Sequence, residues 1–187
     1  MPFADERFDA VVVDYRASWP DEFAALADQL RAVVGRLAPT IDHVGSTSVP
    51  GLAAKGCIDV QLRVASLDEL VDPLTAAGYR LRPEVWNRVE VSTGVESRKL
   101  VFAPAVGART CNVHVRLAGG ANARYALLFR DYLRADEAAR AGWGAFKQRL
   151  AASLPRLTDY GQIKAPATAV LMTGAERWAA QTGWSPS

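Results

Sequence analysis

Two stretches of the chain alternate apolar and polar residues, which is the pattern of a half-buried β-strand. In the first, Cys57 to Val64, the polar residues Asp59 and Gln61 lie on the face opposite the apolar ones. The second runs from Arg109 to Leu117, and its polar face has four members: Thr110, Asn112, His114 and Arg116. We therefore expect two strands whose polar faces point into a pocket or into water.

Shorter apolar runs bounded by turn residues predict five further strands: Val11–Val13, Ile41–Val44, Tyr79–Leu81, Val89–Ser92 and Arg98–Phe102. A turn at Gly94 separates the last two. Helical spacing of apolar residues predicts a helix over 20–37. Pro20 suits its first turn, and Pro39 ends it.

The remaining segments are also predicted to be helical. A helix over about 66–77 would be capped by Ser66. The last third of the chain is predicted to form three helices, the second over about 136–154 and the third from near Pro166 to about Trp178, because proline suits a first turn. This order predicts an α+β fold, with a mixed β-sheet flanked by helices and a helical C-terminal portion.

The length and charge of the chain limit the classes of function that it can have. The 187 residues suit one domain, with an α/β core over about 8–120 and a helical part over about 121–184. The net charge of +2, from 22 basic and 20 acidic residues without a basic block, argues against a dedicated nucleic-acid surface but not against a small phosphorylated ligand. There is no long apolar run, no secretion signal and no disulfide framework, so we expect a cytoplasmic protein without a membrane span.

A polar loop, Gly45-Ser46-Thr47-Ser48, follows the predicted Ile41–Val44 strand. Backbone N–H groups in such a turn can form an anion nest, and hydroxyl groups add donors. The alternative is that these hydroxyls only cap turns, as serine and threonine commonly do. Lys55, shortly after the loop, can offset the charge of a phosphate.

Asp59 lies within an apolar strand, where a charge is unfavourable unless it is paired or binds a metal. Mg²⁺ would require Asp59 and further oxygens from phosphate and water, and Gln61 can add only a neutral carbonyl. The alternatives for Asp59 are a partly exposed edge position and a structural ion pair. Zinc is not expected, because no Cys-x-x-Cys pair is present and Cys111 lies on the face opposite His114.

Several other polar residues are candidates for the same site. The near-neutral pKa of histidine suits His114 to acid/base chemistry, with solvent exposure or a core hydrogen bond as the alternatives. Lys147 and Lys164 can each reach a phosphate, although a solvated surface position is the simpler interpretation of either alone. Arg130 is expected to pair with Asp131.

The stretch HVGSTSVPGLAAKGCIDVQLRV, at 43–64, resembles the signature of the GrpB family, which reads roughly IGST-small-VPGL-x-x-KP-x-ID. Later stretches match in order: TCNVHVRL at 110–117, FRDYLR at 129–134, FKQRLA at 146–151 and Tyr-x-x-x-Lys at 160–164. The resemblance covers about residues 8–180. Gly56 and Asn112 depart from it, standing where the family has proline and histidine.

The resemblance implies a nucleotidyltransferase-like fold. Active members of that superfamily hold a triphosphate on a Gly-Ser loop and two metal ions on an Asp-x-Asp/Glu strand and a third acid. Gly45-Ser46 matches the loop and Asp59 the first acid, whereas Gln61 stands at the second. Glu90 and Glu96 are available as a third acid. Some relatives are fused to dephospho-coenzyme A kinase, which links the family to nucleotide metabolism only by association.

Two functions are therefore expected as alternatives. One is a nucleotidyltransferase-like protein with a nucleotide or phosphorylated ligand on the loop and Mg²⁺ as cofactor; the other is a non-catalytic binding or accessory module with a degraded metal site. Catalytic roles are predicted for Asp59 and His114, and metal binding for Asp59 and Gln61. The other predicted site residues bind phosphate or line the pocket: Gly45, Ser46, Thr47, Ser48 and Lys55, then Asn112, Arg130 and Lys164.

Overall fold

The structure is a computed structural model that describes residues 3–6, 9–37, 39–154 and 156–186. Its strands are β1 Val12–Val13, β2 Thr40–Val44, β3 Ala54–Lys55, β4 Ile58–Val64, β5 Arg80–Leu81, β6 Val89–Ser92, β7 Val95–Arg98, β8 Leu100–Ala103 and β9 Cys111–Leu117. Its α-helices are α1 Trp19–Val34, α2 Val71–Ala76, α3 Ala121–Ala135, α4 Glu137–Ser153 and α5 Leu157–Thr182. Among the described residues, no helix combines the length and the apolar character needed to cross a bilayer.

A five-stranded mixed sheet forms the centre of the fold, in the order β2-β4-β9-β8-β5. β4 and β9 are parallel, and the other neighbours are antiparallel. The parallel register places Asp59 opposite Asn112 and Gln61 opposite His114. Because side chains alternate along a strand, these four polar residues share one face of the sheet.

The opposite face of the sheet carries the main core. Its fully buried members on β4 and β9 are Ile58, Val60, Leu62, Cys111, Val113 and Val115. They form one cluster with apolar residues of α1 and α2, including Trp19, Leu30 and Leu74. The fold-class prediction is confirmed, since a mixed sheet flanked by helices is followed by a helical C-terminal part.

One predicted helix start is wrong. α5 begins at Leu157, so Pro166 lies inside the helix. Proline removes one backbone hydrogen bond, but burial of Tyr160 against Ala10 and Leu150 holds the preceding turns in place. α1 begins at Trp19, one residue before the predicted start, and Pro20 lies in its first turn as predicted.

The segments around α2 and β7 also differ from expectation. Ser66 does not cap a helix, because a 3-10 turn at Asp68–Leu70 precedes α2. The predicted strand Arg98–Phe102 is divided between β7 and β8. Thr93 and Gly94 have positive φ angles of 52° and 79°, which turn β7 back onto β6 as a separate hairpin. β3 was missed, since two residues show no periodicity.

Candidate functional site

The Gly-Ser loop begins directly against the carboxylate of Asp59. Val44, the last residue of β2, pairs with Asp59 in β4, so the next residue, Gly45, lies beside that side chain. Gly45 has a φ of +70°, and a Cβ atom added there would lie 2.4 Å from Asp59 Oδ2. Glycine is therefore required both by the left-handed backbone and by the close approach.

The three hydroxyl groups of the loop have different partners. Residues Ser46–Ser48 form a 3-10 turn, in which Ser48 Oγ donates to the carbonyl of Gly45 at 2.6 Å. Thr47 Oγ1 lies 3.0 Å from His43 Nε2. Ser46 makes no side-chain hydrogen bond to any residue that the structure describes. Thr47 and Ser48 thus use their hydroxyls within the loop, and Ser46 keeps its hydroxyl available.

His43 supports the loop as a neutral side chain. Its ring stacks on Phe23, with the ring centroids 4.5 Å apart. Burial lowers the pKa of His43 to about 4, assisted by the charges of Arg134 and Arg130 and opposed by Asp59. His43 is therefore uncharged at neutral pH.

The carboxylate of Asp59 is held by two side chains of β9. Asp59 Oδ1 accepts a hydrogen bond from Asn112 Nδ2 at 3.1 Å and lies 3.3 Å from His114 Nε2. Burial raises the pKa of Asp59, but the hydrogen bonds from His114 and Asn112, together with the charge of Lys55, outweigh it and lower that pKa to about 2. Asp59 is thus ionised at neutral pH. Its side chain is still 28% exposed, so a ligand can reach it.

His114 is poised as a neutral imidazole. Burial lowers its pKa, as do the charges of Arg116 and Lys99, while Asp59 opposes them. With Asp59 ionised, the Nε2–H of His114 is the donor between them. Nδ1 is buried without a partner among the described residues, so it is the basic nitrogen. The structure thus brings Asp59, His114 and the Gly45-Ser46 loop together, and their roles stay predictions.

Gln61 does not point a free oxygen toward a metal. It is fully buried, and its Oε1 accepts a hydrogen bond from Arg116 Nη1 at 2.8 Å. Its Nε2 donates to Asp42 Oδ2 at 3.2 Å and to the carbonyl of Ala123 at 3.4 Å. Within the described ranges, no group of three or more His, Cys, Asp or Glu residues is arranged to hold a metal ion. The metal-binding role predicted for Gln61 would require this network to open.

The two candidates for a third acid are placed differently. Glu90, on β6, lies 2.7 Å from Lys99 Nζ and 3.2 Å from Arg116 Nη2. Glu96 is exposed on β7. The site therefore depends on the carboxylate of Asp59.

Three lysines from β3, α4 and α5 come together near this carboxylate. Lys55 Nζ lies 5.8 Å from the centroid of the Tyr160 ring. Lys147 is only 2% exposed and donates to a backbone carbonyl, and Lys164 is half-buried. Burial and then the charges of Lys164 and Lys55 lower the pKa of Lys147 to about 6, and Asp59 opposes them. None of the three lysines forms an ion pair with a described carboxylate.

The surface interpretation of Lys147 is therefore wrong. Lys147 reaches the carbonyl of Ala53, 94 residues earlier, which no local pattern indicates. The FKQRLA stretch of the family resemblance contains this lysine, and that was the available signal.

Two arginines of α3 hold the loop in place. Arg130 pairs with Asp131 at 2.6 Å, as predicted, and its Nη1 lies 3.4 Å from the carbonyl oxygen of His43. Arg134 donates to the carbonyl of Ser48 at 3.0 and 2.8 Å. Sequence reasoning missed Arg134, although the FRDYLR stretch of the resemblance contains it.

Arg82 is a further residue that sequence reasoning missed. Its Nη2 donates to Asn112 Oδ1 at 3.2 Å, which turns the amide nitrogen of Asn112 toward Asp59. The carboxylate of Glu6 accepts from both terminal nitrogens of Arg82, at 2.9 and 2.6 Å. Arg82 follows a two-residue strand in an irregular segment, so the sequence held no signal for it.

Replacing Lys147 with methionine is expected to flatten the pH dependence of stability. The folded-state pKa of about 6 lies below the usual 10.5. The unfolded chain therefore binds more protons between these values, and stability rises with pH through that window. One such proton contributes about 1.4 kcal/mol per pH unit. Urea unfolding between mildly acidic and mildly alkaline pH measures this slope. Lys147→Arg is the charged control. Equal slopes in wild type and Lys147→Met would contradict the expectation.

The fold and the site define an α+β protein in which a glycine–serine loop meets an acid-bearing strand. The sequence model described as GrpB protein matches residues 9–173, and the chain belongs to the GrpB family. The family resemblance seen in the sequence is thereby confirmed.

Individual relatives support this assignment. A crystal structure of GrpB from Enterococcus faecalis is 26% identical, covering 90% of this chain and 99% of that one, with a TM-score of 0.71. A dephospho-CoA kinase of Mycolicibacterium paratuberculosis is 38% identical over 188 residues, covering 90% of this chain but 46% of that protein. The chain thus spans about half the length of that relative. A structure of the RNA terminal uridylyl transferase Cid1 aligns at a TM-score of 0.49 with 12% identity over 73% of this chain and 41% of that one, a likeness too low to argue from.

Proposed function

We propose that this protein binds a nucleotide or a similar polyphosphate ligand between the Gly45–Ser48 loop and the three lysines, with Mg²⁺ at Asp59, in the manner of a nucleotidyltransferase. The observation that carries the proposal is the group of Lys55, Lys147 and Lys164, which forms no ion pair within the described part of the chain. The acidic residue acting on Lys147 and Lys164 is Asp59.

Without a ligand, the group of three lysines lowers the stability of the folded protein. Charges in partly buried positions are destabilising unless they are paired. Here the lysines also repel one another, since the charges of Lys164 and Lys55 add to burial in lowering the pKa of Lys147. Clustered perturbed groups of this kind are typical of functional sites. A triphosphate would supply negative charge that favours the ammonium form of Lys147, which is largely uncharged at neutral pH without a ligand, and its oxygens accept charge-assisted hydrogen bonds from ammonium groups.

The loop offers further donors to the same phosphates. The hydroxyl of Ser46 is available, and Gly45 turns the backbone through a left-handed conformation beside Asp59. Arg134 holds the carbonyl of Ser48, which keeps that end of the loop fixed. A preorganised turn of this type binds anions through its N–H groups.

Asp59 fits a single Mg²⁺ ion that arrives with a nucleotide. Mg²⁺ in proteins is commonly bound by one or two carboxylates and by substrate phosphates. Asp59 supplies one carboxylate, whose Oδ1 already accepts two hydrogen bonds. The donor set does not fit a second ion, because the oxygen of Gln61 is bonded to Arg116. When bound, Mg²⁺ would offset the negative charge of the phosphates.

In a transfer reaction, an acceptor hydroxyl would form a bond to the α-phosphorus while the bond to pyrophosphate breaks. The hydroxyl proton would leave to water, while His114, whose Nε2–H is engaged with Asp59 and whose Nδ1 is buried, would hold that carboxylate in place. The lysines would retain the departing pyrophosphate. Asn112, oriented by Arg82, would keep Asp59 in position.

A non-catalytic binding module is the second candidate. It is favoured by the side chain of Gln61, whose oxygen is not free for a metal, and by Glu90, which is paired with Lys99 and Arg116. Such a module would bind the same ligand without releasing pyrophosphate.

Titration of ATP, GTP and CTP, each with Mg²⁺, tests the proposal, and a pyrophosphate-release assay separates the two candidates. Asp59→Asn is expected to weaken Mg²⁺-dependent binding at least about tenfold, or about 1.4 kcal/mol. Asp28→Asn is the control, because Asp28 forms an exposed ion pair with Arg31 and should not affect binding. Failure of all three nucleotides to bind at millimolar concentration would end the proposal.

A further inference from the structure

The amide of Gln61 is used entirely by the protein itself. The side chain has no exposed surface, its nitrogen donates to Asp42 and to a backbone carbonyl, and its oxygen accepts from Arg116. A metal ion arriving at this oxygen would meet a guanidinium group already bound there. The ion and the guanidinium would both be positive and both contact one oxygen atom, so they would repel each other strongly in a partly buried site.

Arg116 is a buried cation whose charge is only partly balanced. It is 6% exposed, and its Nη2 lies 3.2 Å from a carboxylate oxygen of Glu90. The same carboxylate pairs with Lys99 at 2.7 Å. Among the residues that the structure describes, two cations thus share one anion, which leaves one positive charge in excess. The other charged neighbour of Gln61, Asp42, is paired with Arg63 at 2.8 Å.

The excess charge lies on the same face of the sheet as Asp59. Arg116 lies two residues beyond His114 on β9, and therefore on the same face, and His114 forms a hydrogen bond with Asp59. An acid at position 61 would add a negative charge that the excess charge of Arg116 neutralises, so it would not need a second metal ion. The neutral amide of Gln61 needs none, so Gln61 and Arg116 together balance the charge of this face with residues of the chain.

We infer that Arg116, held by Gln61, occupies the position of a second cation, so that the site takes one divalent ion and keeps a fixed guanidinium beside it. Arg116 is then a positioning residue of the site. The inference deepens the proposed function, on which it rests for the location of the first ion. Its test uses a metal alone, so a failure of nucleotide binding leaves the result interpretable.

Manganese(II) without nucleotide is the probe, followed by electron paramagnetic resonance of the free ion. Wild type and Gln61→Glu are expected to bind the same number of ions with affinities within about twofold, because the new carboxylate pairs with Arg116. The double variant Gln61→Glu, Arg116→Met is expected to bind one more ion, or the same ion at least about tenfold more tightly. A gain in Gln61→Glu alone, or no gain in the double variant, would overturn the inference.

Two further measurements separate this role from a purely structural one. The double variant Gln61→Glu, Arg116→Lys keeps the positive charge and is expected to bind manganese as Gln61→Glu does. The shift in unfolding temperature between EDTA and manganese is expected to be the same for Gln61→Glu as for wild type, since Arg116 already neutralises the new acid. A Gln61→Glu protein that is stable only with manganese would overturn the inference even if no Arg116 variant folds.

Discussion

Replacing Lys164 with methionine is expected to stabilise the ligand-free protein while weakening its binding of ATP with Mg²⁺. Lys164 is half-buried, and its pKa is lowered first by burial and then by the charge of Lys55. Methionine keeps the length and apolar character of the stem but removes a cation that has no described ion-pair partner. We expect the free energy of unfolding to rise by about 1 kcal/mol.

Binding is expected to change in the opposite direction. A hydrogen bond between an ammonium group and a phosphate oxygen contributes about 1.5–3 kcal/mol, so Lys164→Met should weaken ATP binding by roughly ten- to a hundredfold. Urea unfolding without ligand and calorimetric titration with ATP and Mg²⁺ measure the two effects separately. A variant that is more stable than wild type but binds ATP more weakly identifies a residue whose role is to bind the ligand.

Lys99→Met is the matched control for Lys164→Met. Lys99 is also largely buried, with a side chain 12% exposed, but it pairs with Glu90 at 2.7 Å. Its loss should therefore lower stability, because a buried carboxylate loses a partner, and should leave ATP affinity within about twofold. The lysine-site proposal would be contradicted if Lys164→Met behaved like this control.

Replacing Gly45 with alanine is expected to have the largest effect on stability. The backbone there has a φ of +70°, which disfavours any side chain, and the new Cβ would lie 2.4 Å from Asp59 Oδ2 and 3.0 Å from Asp59 Cβ. The conformational penalty is about 1–2 kcal/mol, and relief of the clash adds about 1–3 kcal/mol. Moving the loop away from Asp59 should also reduce ATP binding with Mg²⁺, which titration of the folded variant measures.

Gly94→Ala separates the two contributions. Gly94 has a similar φ of +79°, but no atom of a described residue lies within 4 Å of the position of an added Cβ. Its substitution should therefore show only the conformational penalty, and ATP binding should not change. Urea unfolding of both variants gives the difference. Equal losses at Gly45 and Gly94 would mean that the approach of Asp59 to the loop is unimportant.

The elements that sequence reasoning placed correctly are those with a long, regular pattern. β4 and β9 alternate over seven residues each, and that alternation matches their burial except at Gln61 and Arg116, which are buried, and at Leu117, which is exposed. Short or irregular elements were missed or misplaced because tertiary contacts decide them. β3 exists through pairing with β1, and α5 continues through Pro166 because Tyr160 anchors the preceding turns by its burial.

The site likewise contains residues that the sequence identified and residues that only the structure identified. The loop, Asp59 and His114 were identifiable from spacing, since a strand places alternate residues on one face. The buried state of Lys147 and the bond between Gln61 and Arg116 were not, because each joins positions far apart in the chain. Contacts between side chains that the order of strands brings together do not produce a repeating pattern in the local sequence.

The sequence by itself determined the family, the alternation that sets Asp59 and His114 on one face, and the glycine that lets the loop approach the acid. Only the tertiary structure decided which cations surround that acid and which oxygens are already bonded. The physical reason is that local pattern records each residue's own preference for burial, whereas charge balance depends on neighbours that packing brings from β3, α4, α5 and β9.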